Sequence, residues 1–436
     1  MKVFVINTVV LNTGDSAILH GLIETVREAF GPAVRITVFD AHAAAARTLY
    51  PGIELRRPPW QVVTGDRPVR RRGLAAKVLA RASRTLNMVR FRAAFRAWRG
   101  ALRSLASRLL TPDERLMIEE FSTADLVIST GGTYLVEQYV LVPRWFDIDL
   151  ALDLGRPLVL FTQSLGPFRS VVNRDRMRRA AAGSRVVLLR DPASRDNLRE
   201  IGVSDDKLVV AADAAFAVAR PAGPSTVRHP SGSPMRIAIS VREWRWFAGG
   251  SASDGMARFK AALVDVTRHL VEHLGAEVTF VSTCQGVPAY AMDDSKTANE
   301  IAAALPPSIR ARVVVDRAFH TPQALAAMLS AFDLVIATRM HFAILAMIAG
   351  TPAVAIAYES KTKELYAGMN LGRLVDDIES VTAQSLIAKV EWAIEHRAEL
   401  EATIGDAVSR AHADARSVAA LLRERYTPPG FVTTAT

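Results

Sequence analysis

Short aliphatic and β-branched runs alternate along this chain with amphipathic helical patterns, and the alternation stops once and restarts. In the first half, Val3–Val10, Val34–Phe39, Leu126–Ser129, Leu158–Phe161, Val186–Leu189 and Leu208–Ala211 read as strands. Continuous apolar runs, without in–out alternation, are what parallel strands covered on both faces require. Helical patterns such as Ser16–Ala29 and Ala193–Ile201 lie between them, the signature of a doubly wound α/β sheet. Residues 220–235 carry four prolines, two glycines and no apolar period, which marks a linker. The pattern resumes with strands at Ile237–Val241, Val278–Val281, Val313–Val315, Leu334–Ala337 and Ala353–Ile356. Helices are expected at Arg258–Leu274, Pro322–Ala331, Phe342–Ala349 and Ala383–His396. The expected organisation is therefore a Rossmann-like N-terminal domain over 1–222, a linker over 223–235 and a Rossmann-like C-terminal domain over 236–397. A last helix and a frayed tail follow over 398–436.

Several classes are excluded early. With 436 residues and half of them apolar, the chain is long enough for two or three domains and too hydrophobic to be disordered. A single cysteine, Cys284, rules out an intrachain disulfide framework and a multi-cysteine zinc site. No His/Asp/Glu grouping has ligand spacing, so neither a metal nor another cofactor is expected. Met1–Leu11 runs directly into Asn12-Thr13-Gly14-Asp15 without a small-residue cleavage pattern, which suits a buried strand better than a secretion signal. The longest apolar stretch, 342–358, is broken by Gly350-Thr351-Pro352, short of the roughly 20 residues a spanning helix needs. The expected location is the cytoplasm, with peripheral contact at the inner face of the plasma membrane.

That membrane expectation comes from the distribution of charge. Residues 65–110 hold thirteen Lys/Arg against one acid, a net +12 that exceeds the whole chain's +10 and leaves −2 for the other 390 residues. Charge confined to one segment argues against a nucleic-acid binder, whose body would also be basic. Within this segment, Phe91, Phe95, Trp98, Leu102, Leu105 and Leu109 follow one helical stripe, with Arg92, Arg96, Arg99 and Arg103 beside it. Such a stripe suits a helical insertion, about 67–110, lying on an anionic membrane surface. It equally suits a helix packed on its own domain with its arginines in water.

The chemistry-bearing residues sit where strands end. Asn12-Thr13-Gly14-Asp15-Ser16 follows the first strand and opens a helix, as either a ligand loop or an ordinary cap. Thr130-Gly131-Gly132-Thr133 and Gln163-Ser164-Leu165-Gly166-Pro167 follow later strands, as close-approach loops or turns. Asp191, before Pro192, reads most simply as a helix cap. In the second domain Arg242 ends the first strand, where a guanidinium can grip a phosphate or carboxylate bidentately. Thr338-Arg339-Met340-His341 places a guanidinium and an imidazole at a helix N-terminus, which is an anion site beside a titratable group. Tyr358-Glu359-Ser360-Lys361 brings Lys361 to the end of the next strand.

Taken in order, Asn12/Gly14-Asp15, Gly131-Gly132, Gln163 to Pro167, Arg190-Asp191-Pro192-Ala193-Ser194, Asp213-Ala214-Ala215-Phe216, Val241-Arg242, Arg339-Met340-His341, Gly350-Thr351-Pro352 and Tyr358 to Lys361 resemble the polysaccharide pyruvyl transferase family over about residues 3–375. The resemblance implies a GT-B-like α/β fold, two Rossmann-like doubly wound domains facing a central cleft. It also implies transfer of the pyruvyl group of phosphoenolpyruvate, as a ketal, onto a sugar of a cell-surface polysaccharide, glycolipid or lipid-linked precursor. The family's Arg–x–His motif maps onto Arg339 and His341, and its arginine after the first strand of the second domain onto Arg242. Together with the residues read directly, the expected donor site is Arg242, Arg339, Met340, His341 and Lys361, with His341 as the acid or base and Asp15 holding or deprotonating the acceptor hydroxyl. The acceptor side comprises Asn12, Gly14, Asp15, Gly131, Gly132 and Gln163. Two alternatives share the fold: a nucleotide-sugar glycosyltransferase, and a glycan- or lipid-carrier-binding protein without catalysis. Where the family often has three glycines this chain has Gly131-Gly132-Thr133, and its arginine-rich insertion is not a family feature.

Overall fold

The computed structural model describes residues 1–65, 74–100, 103–218 and 233–426, and two parallel sheets hold all of its strands. The first sheet contains β1 (Lys2–Ile6), β2 (Arg35–Phe39), β3 (Glu54–Arg56), β4 (Leu126–Ser129), β5 (Leu158–Gln163), β6 (Ser184–Leu189) and β7 (Leu208–Val210), in the order β3-β2-β1-β4-β5-β6-β7. The second contains β8 (Arg236–Ser240), β9 (Glu277–Phe280), β10 (Val313–Val315), β11 (Leu334–Ala337), β12 (Ala353–Ala357) and β13 (Val375–Asp377), in the order β10-β9-β8-β11-β12-β13. Both orders reverse direction once, between β1 and β4 and between β8 and β11. Loops leaving the carboxyl ends of those strands diverge there, and such switch points are where doubly wound sheets bind ligands. Most of the expected linker (219–232), part of the basic segment (66–73 and 101–102) and the tail from 427 lie outside the described residues.

The chain forms two compact units. One holds Met1–Val9, Val26–Val210 and the end of the chain from Ala420; the other holds Val10–Thr25 and Ala211–Ala419. The loop after β1 and most of the helix Thr13–Phe30 thus belong to the second unit. Two central strands, β4 and β12, are buried at every position, and β12 is apolar throughout. The edge strands β3 (ELR) and β13 (VDD) have no apolar run, which is why the periodicity passes over them.

The basic segment differs from the single stripe expected. Its long helix, Leu74–Arg99, stops before Gly100, and a separate short helix covers Arg103–Leu109. Phe91 and Phe95 face inward, 2% and 6% exposed. Their rings stack 5.6 Å apart, and Phe91 meets Phe146 of the helix Val142–Asp153 at 5.5 Å. Arg90 fixes the helix from another side, donating both terminal nitrogens to the buried carboxylate of Glu114 at 2.9 and 2.5 Å. Burial of these two aromatic rings outweighs what they would gain at a surface, so Phe91 and Phe95 are core, whereas Leu109 of the same expected stripe is 50% exposed and Leu102 lies outside the described residues.

One carboxylate in this unit carries a cost. Asp147 is buried and accepts the Trp60 N–H at 2.9 Å. Burial pushes its carboxyl from an ordinary 3.8 up to about 7, against the pull of the Trp60 N–H and the Arg144 charge. The folded state therefore keeps a proton that the unfolded chain releases. Between about pH 4 and 7, stability should fall as pH rises, by up to about 1.4 kcal/mol per unit, and level off above. Asp147→Asn keeps the acceptor but cannot ionise, so urea unfolding from pH 5 to 8 should show the variant gaining on the parent up to about pH 7 and holding a constant lead beyond.

Candidate active site

In the second unit β8 and β11 pair in parallel, with Ser240 beside Ala337, so the residues after both strands emerge together. Arg242 follows β8 and is buried, and among the described residues no carboxylate forms an ion pair with it. Its guanidinium carbon lies 4.0 Å from the Tyr358 ring centroid and 5.0 Å from that of Trp244. Aromatic faces hold a cation without neutralising it. Lys361, near the start of the helix Ser360–Gly368, places its ammonium 5.7 Å from the same Tyr358 ring while pairing with Glu359. Two cations thus share one aromatic platform.

Arg339 is handled differently. It occupies the N-cap of the helix Met340–Ile348 and donates from Nε and Nη2 to Asp294 Oδ2 and Oδ1, at 2.9 and 2.6 Å. Asp294 also accepts from the Ser282 hydroxyl at 2.6 Å. Burial opposes the charge on Arg339, but the adjacent carboxylate more than offsets it and holds the guanidinium fully protonated. Two of its donors are therefore spent on a carboxylate, whereas Arg242 donates from Nε to the Glu243 carbonyl at 3.4 Å. Met340, at the first position of that helix, is buried.

His341 lies between two elements that the sequence keeps far apart. Its Nε2 is 3.2 Å from Oδ2 of Asp213, whose other oxygen accepts the Ala215 N–H at 2.9 Å. A carboxylate only accepts, so Nε2 carries the hydrogen in this pair. On its other flank is Gly14. A Cβ on Gly14 would stand 2.7 Å from His341 Cβ and 3.1 Å from Nδ1, so glycine is needed for this approach. The Asn12–Asp15 turn is tied down by its own contacts. The Thr13 N–H donates to Thr283 O, the Thr13 hydroxyl to His320 O, and the Asn12 amide to Asp15 Oδ2 at 2.6 Å. Further along, a Cβ on Gly21 would lie 1.8 Å from Ala214 O, so the helix presses directly on the turn carrying Asp213. The charges of Arg339, Asp294, Asp15 and Arg242 all act on the buried thiol of Cys284, which places these groups around one centre.

Gly131, Gly132 and Gln163 belong to the first unit and form a separate polar cluster. The Gln163 amide nitrogen donates to Ser129 O, Ser129 Oγ and Thr130 O. Gly132 has φ 122° and bridges to Gln163. Among the described residues, Asn7 Oδ1, Thr162 Oγ1 and Gln163 Oε1 are buried oxygens without a hydrogen-bond partner. Asp191 caps the helix Pro192–Glu200 through the Ser194 N–H and takes the Ser164 hydroxyl at 2.6 Å, the ordinary capping role.

Asp213, Asp294, Trp244, Tyr358 and the His320–Asp316 pair (2.5 Å) were not singled out as site residues from the sequence. Asp213 lay within a motif but carried no assigned role. Asp294 stands in a loop 45 residues before Arg339, and only the fold joins them. Among the described residues no group of three or more His, Cys, Asp or Glu side chains is placed to hold a metal ion.

The Asp294–Arg339 pair gives a stability test. Breaking a buried pair typically costs about 3–5 kcal/mol, because the remaining charge is stranded. Asp294→Asn is expected to destabilise on that scale, and Asp294→Leu combined with Arg339→Met to recover part of the loss, in denaturant unfolding of the single and double variants.

Comparison with known proteins bears on both fold and family. Anabaena HepE in complex with UDP-glucose superposes with a TM-score of 0.56 at 14% identity, over 98% of this chain and 100% of that one. A putative UDP-N-acetylglucosamine 2-epimerase from Listeria monocytogenes gives 0.56 at 12% identity over 99% of each chain. At such identities the likeness is one of fold: the GT-B-type α/β architecture. Nearer in sequence, the amylovoran biosynthesis protein AmsJ of Erwinia amylovora is 30% identical over 297 residues, 66% of this chain and 69% of AmsJ. No described helix is long and apolar enough to cross a membrane. The profile of the polysaccharide pyruvyl transferases matches residues 12–360, a span that includes Asp15, Asp213, Arg242, Arg339 and His341, and the chain belongs to that family.

Proposed function

We propose that the protein moves the pyruvyl group of phosphoenolpyruvate onto two hydroxyls of a sugar, releasing phosphate and forming a ketal. The acceptor is a glycan of an exopolysaccharide, a glycolipid or a lipid-linked precursor, and the reaction takes place in the cytoplasm or at its membrane face. The observation that carries this reading is the pairing of a non-neutralised, aromatic-held Arg242 with His341 at one switch point. Phosphoenolpyruvate is small and polyanionic. Arg242, Lys361 and the N–H groups at the start of the helix Met340–Ile348 are matched to its phosphate and carboxylate. Arg339 adds positive field and its remaining Nη1.

The enol carbon C2 is a poor electrophile until C3 is protonated. His341 supplies that proton, giving an oxocarbenium-like C2. An acceptor hydroxyl attacks C2 and loses its proton to Asp15, whose Oδ2 is steadied by Asn12. The C2–O bond to phosphate then breaks, and a second hydroxyl closes the ketal as its proton leaves with phosphate. Asp213 keeps the imidazole in one tautomer and orientation, a positioning role like that of a carboxylate behind a catalytic histidine. Gly14 lets the acceptor loop close on His341. For Gly131, Gly132 and Gln163 we propose acceptor contacts through the backbone of their turn, since the Gln163 amide nitrogen is already occupied.

Incubation with labelled phosphoenolpyruvate and candidate glycans should release phosphate and leave a labelled ketal, whereas UDP-glucose should yield no transfer. A reversed outcome would favour the glycosyltransferase alternative. His341→Gln should keep its fold and lose about 10²–10⁴-fold in turnover, because an amide cannot deliver a proton; near-parental phosphate release would reduce His341 to a binding residue. In calorimetric titration Arg242→Lys should weaken phosphoenolpyruvate binding by about 1.5–3 kcal/mol, since an ammonium cannot reproduce the planar fork. Unchanged affinity would remove Arg242 from the donor site.

A further inference from the structure

The helix Leu74–Arg99 is apolar on two opposite faces. At about 3.6 residues per turn, Met88, Phe91, Phe95 and Trp98 fall on the side that packs into the first unit. Val78, Leu79, Ala82, Leu86 and Val89 fall on the reverse side. There the large residues are in solvent: Val78 is 60% exposed, Leu79 69%, Leu86 69% and Val89 62%. Scattered exposed aliphatics are normal, but a contiguous stripe spanning about 16 Å of one helix is not. Exposed Arg81, Arg92 and Arg96 line one edge of the stripe. Across its 26 residues the helix carries seven basic residues and no acid.

We propose that this outward face, not the Phe91 stripe, docks on an anionic lipid bilayer. The helix lies in the interface plane, with Val78, Leu79, Leu86 and Val89 among the acyl chains and Arg81, Arg92 and Arg96 on lipid phosphates. Charge selects this occupant. The helix itself supplies no acid, and although Asp149 and Asp153 of the neighbouring helix lie beside Arg92 and Arg96, self-pairing through the face would set like-charged rows together, whereas anionic headgroups complement them. Attachment to the first unit is already secured from the other side by Phe91, Phe95 and the Arg90–Glu114 fork, so docking requires no unfolding of the helix. The proposal stands apart from the donor chemistry, because lipid binding is measured without turnover.

Sedimentation of the full chain with vesicles tests it. The parent should bind vesicles of phosphatidylcholine mixed with phosphatidylglycerol, bind more weakly as salt rises, and ignore pure phosphatidylcholine. Leu86→Ser with Val89→Ser, and separately Arg81→Ser with Arg92→Ser, should each lower partitioning about tenfold or more. Both pairs are solvent-facing, so thermal melts should match the parent. Equal sedimentation of parent and variants would overturn the proposal. So would a vesicle-free dimer that the Leu86/Val89 variant converts to monomer, which would assign the face to a second copy of the chain.

Discussion

A guanidinium taken out of water must meet a carboxylate or be left costly, and the second unit is organised around that demand. Arg339 sits buried at the end of β11, and Asp294 comes from the loop after β9 to meet it with both oxygens. The Ser282 hydroxyl donates to the same carboxylate, which ties the end of β9 into the pair. With Arg339 fixed at the N-cap, the helix Met340–Ile348 begins at a defined place, and so does His341 in its first turn. Arg242 reaches the same switch point under the opposite condition, held by ring faces that leave its charge available. One arginine is held by a carboxylate and the other by aromatic faces.

Backbone proximity provides the second constraint. Gly14 and Gly21 stand seven residues apart on one helix, and each allows a contact that a methyl group would block, the first on His341 and the second on the turn bearing Asp213. The imidazole is therefore confined between a bare stretch of helix and a carboxylate. Neither glycine is needed for a left-handed backbone, since neither has a positive φ. Both are used for closeness.

Much of this was legible before the fold was known, for reasons that differ by element. β4, β8, β11 and β12 announce themselves because a strand buried on both faces carries an unbroken apolar run, with polar residues only at its ends. β3 and β13 do not, being three-residue edges with charged members. Arg242, Arg339 and His341 stand out because each follows closely on the end of a strand, where doubly wound sheets bind ligands. Their companions did not. Asp213 lies 128 residues from His341, Trp244 and Tyr358 look like ordinary aromatics, and the acidic pair Asp293-Asp294 looks like a helix start. For the basic segment the helical period was visible, but a second apolar face was not: Val78, Leu79, Leu86 and Val89 break no rule until the first face is seen to be occupied.

The lone cysteine has a practical consequence. Cys284 is fully buried, and that burial pushes its thiol up to about 12, so at neutral pH it is neither accessible nor ionised. Thiol reagents attack the thiolate, which leaves the native chain inert to maleimides and nitroxide tags. Any cysteine placed on the surface becomes the single labelling point without removal of the native one. A fluorophore or spin label on the outer face of the helix Leu74–Arg99, or beside the Asn12–Asp15 turn, would report from one known position in an otherwise unaltered molecule.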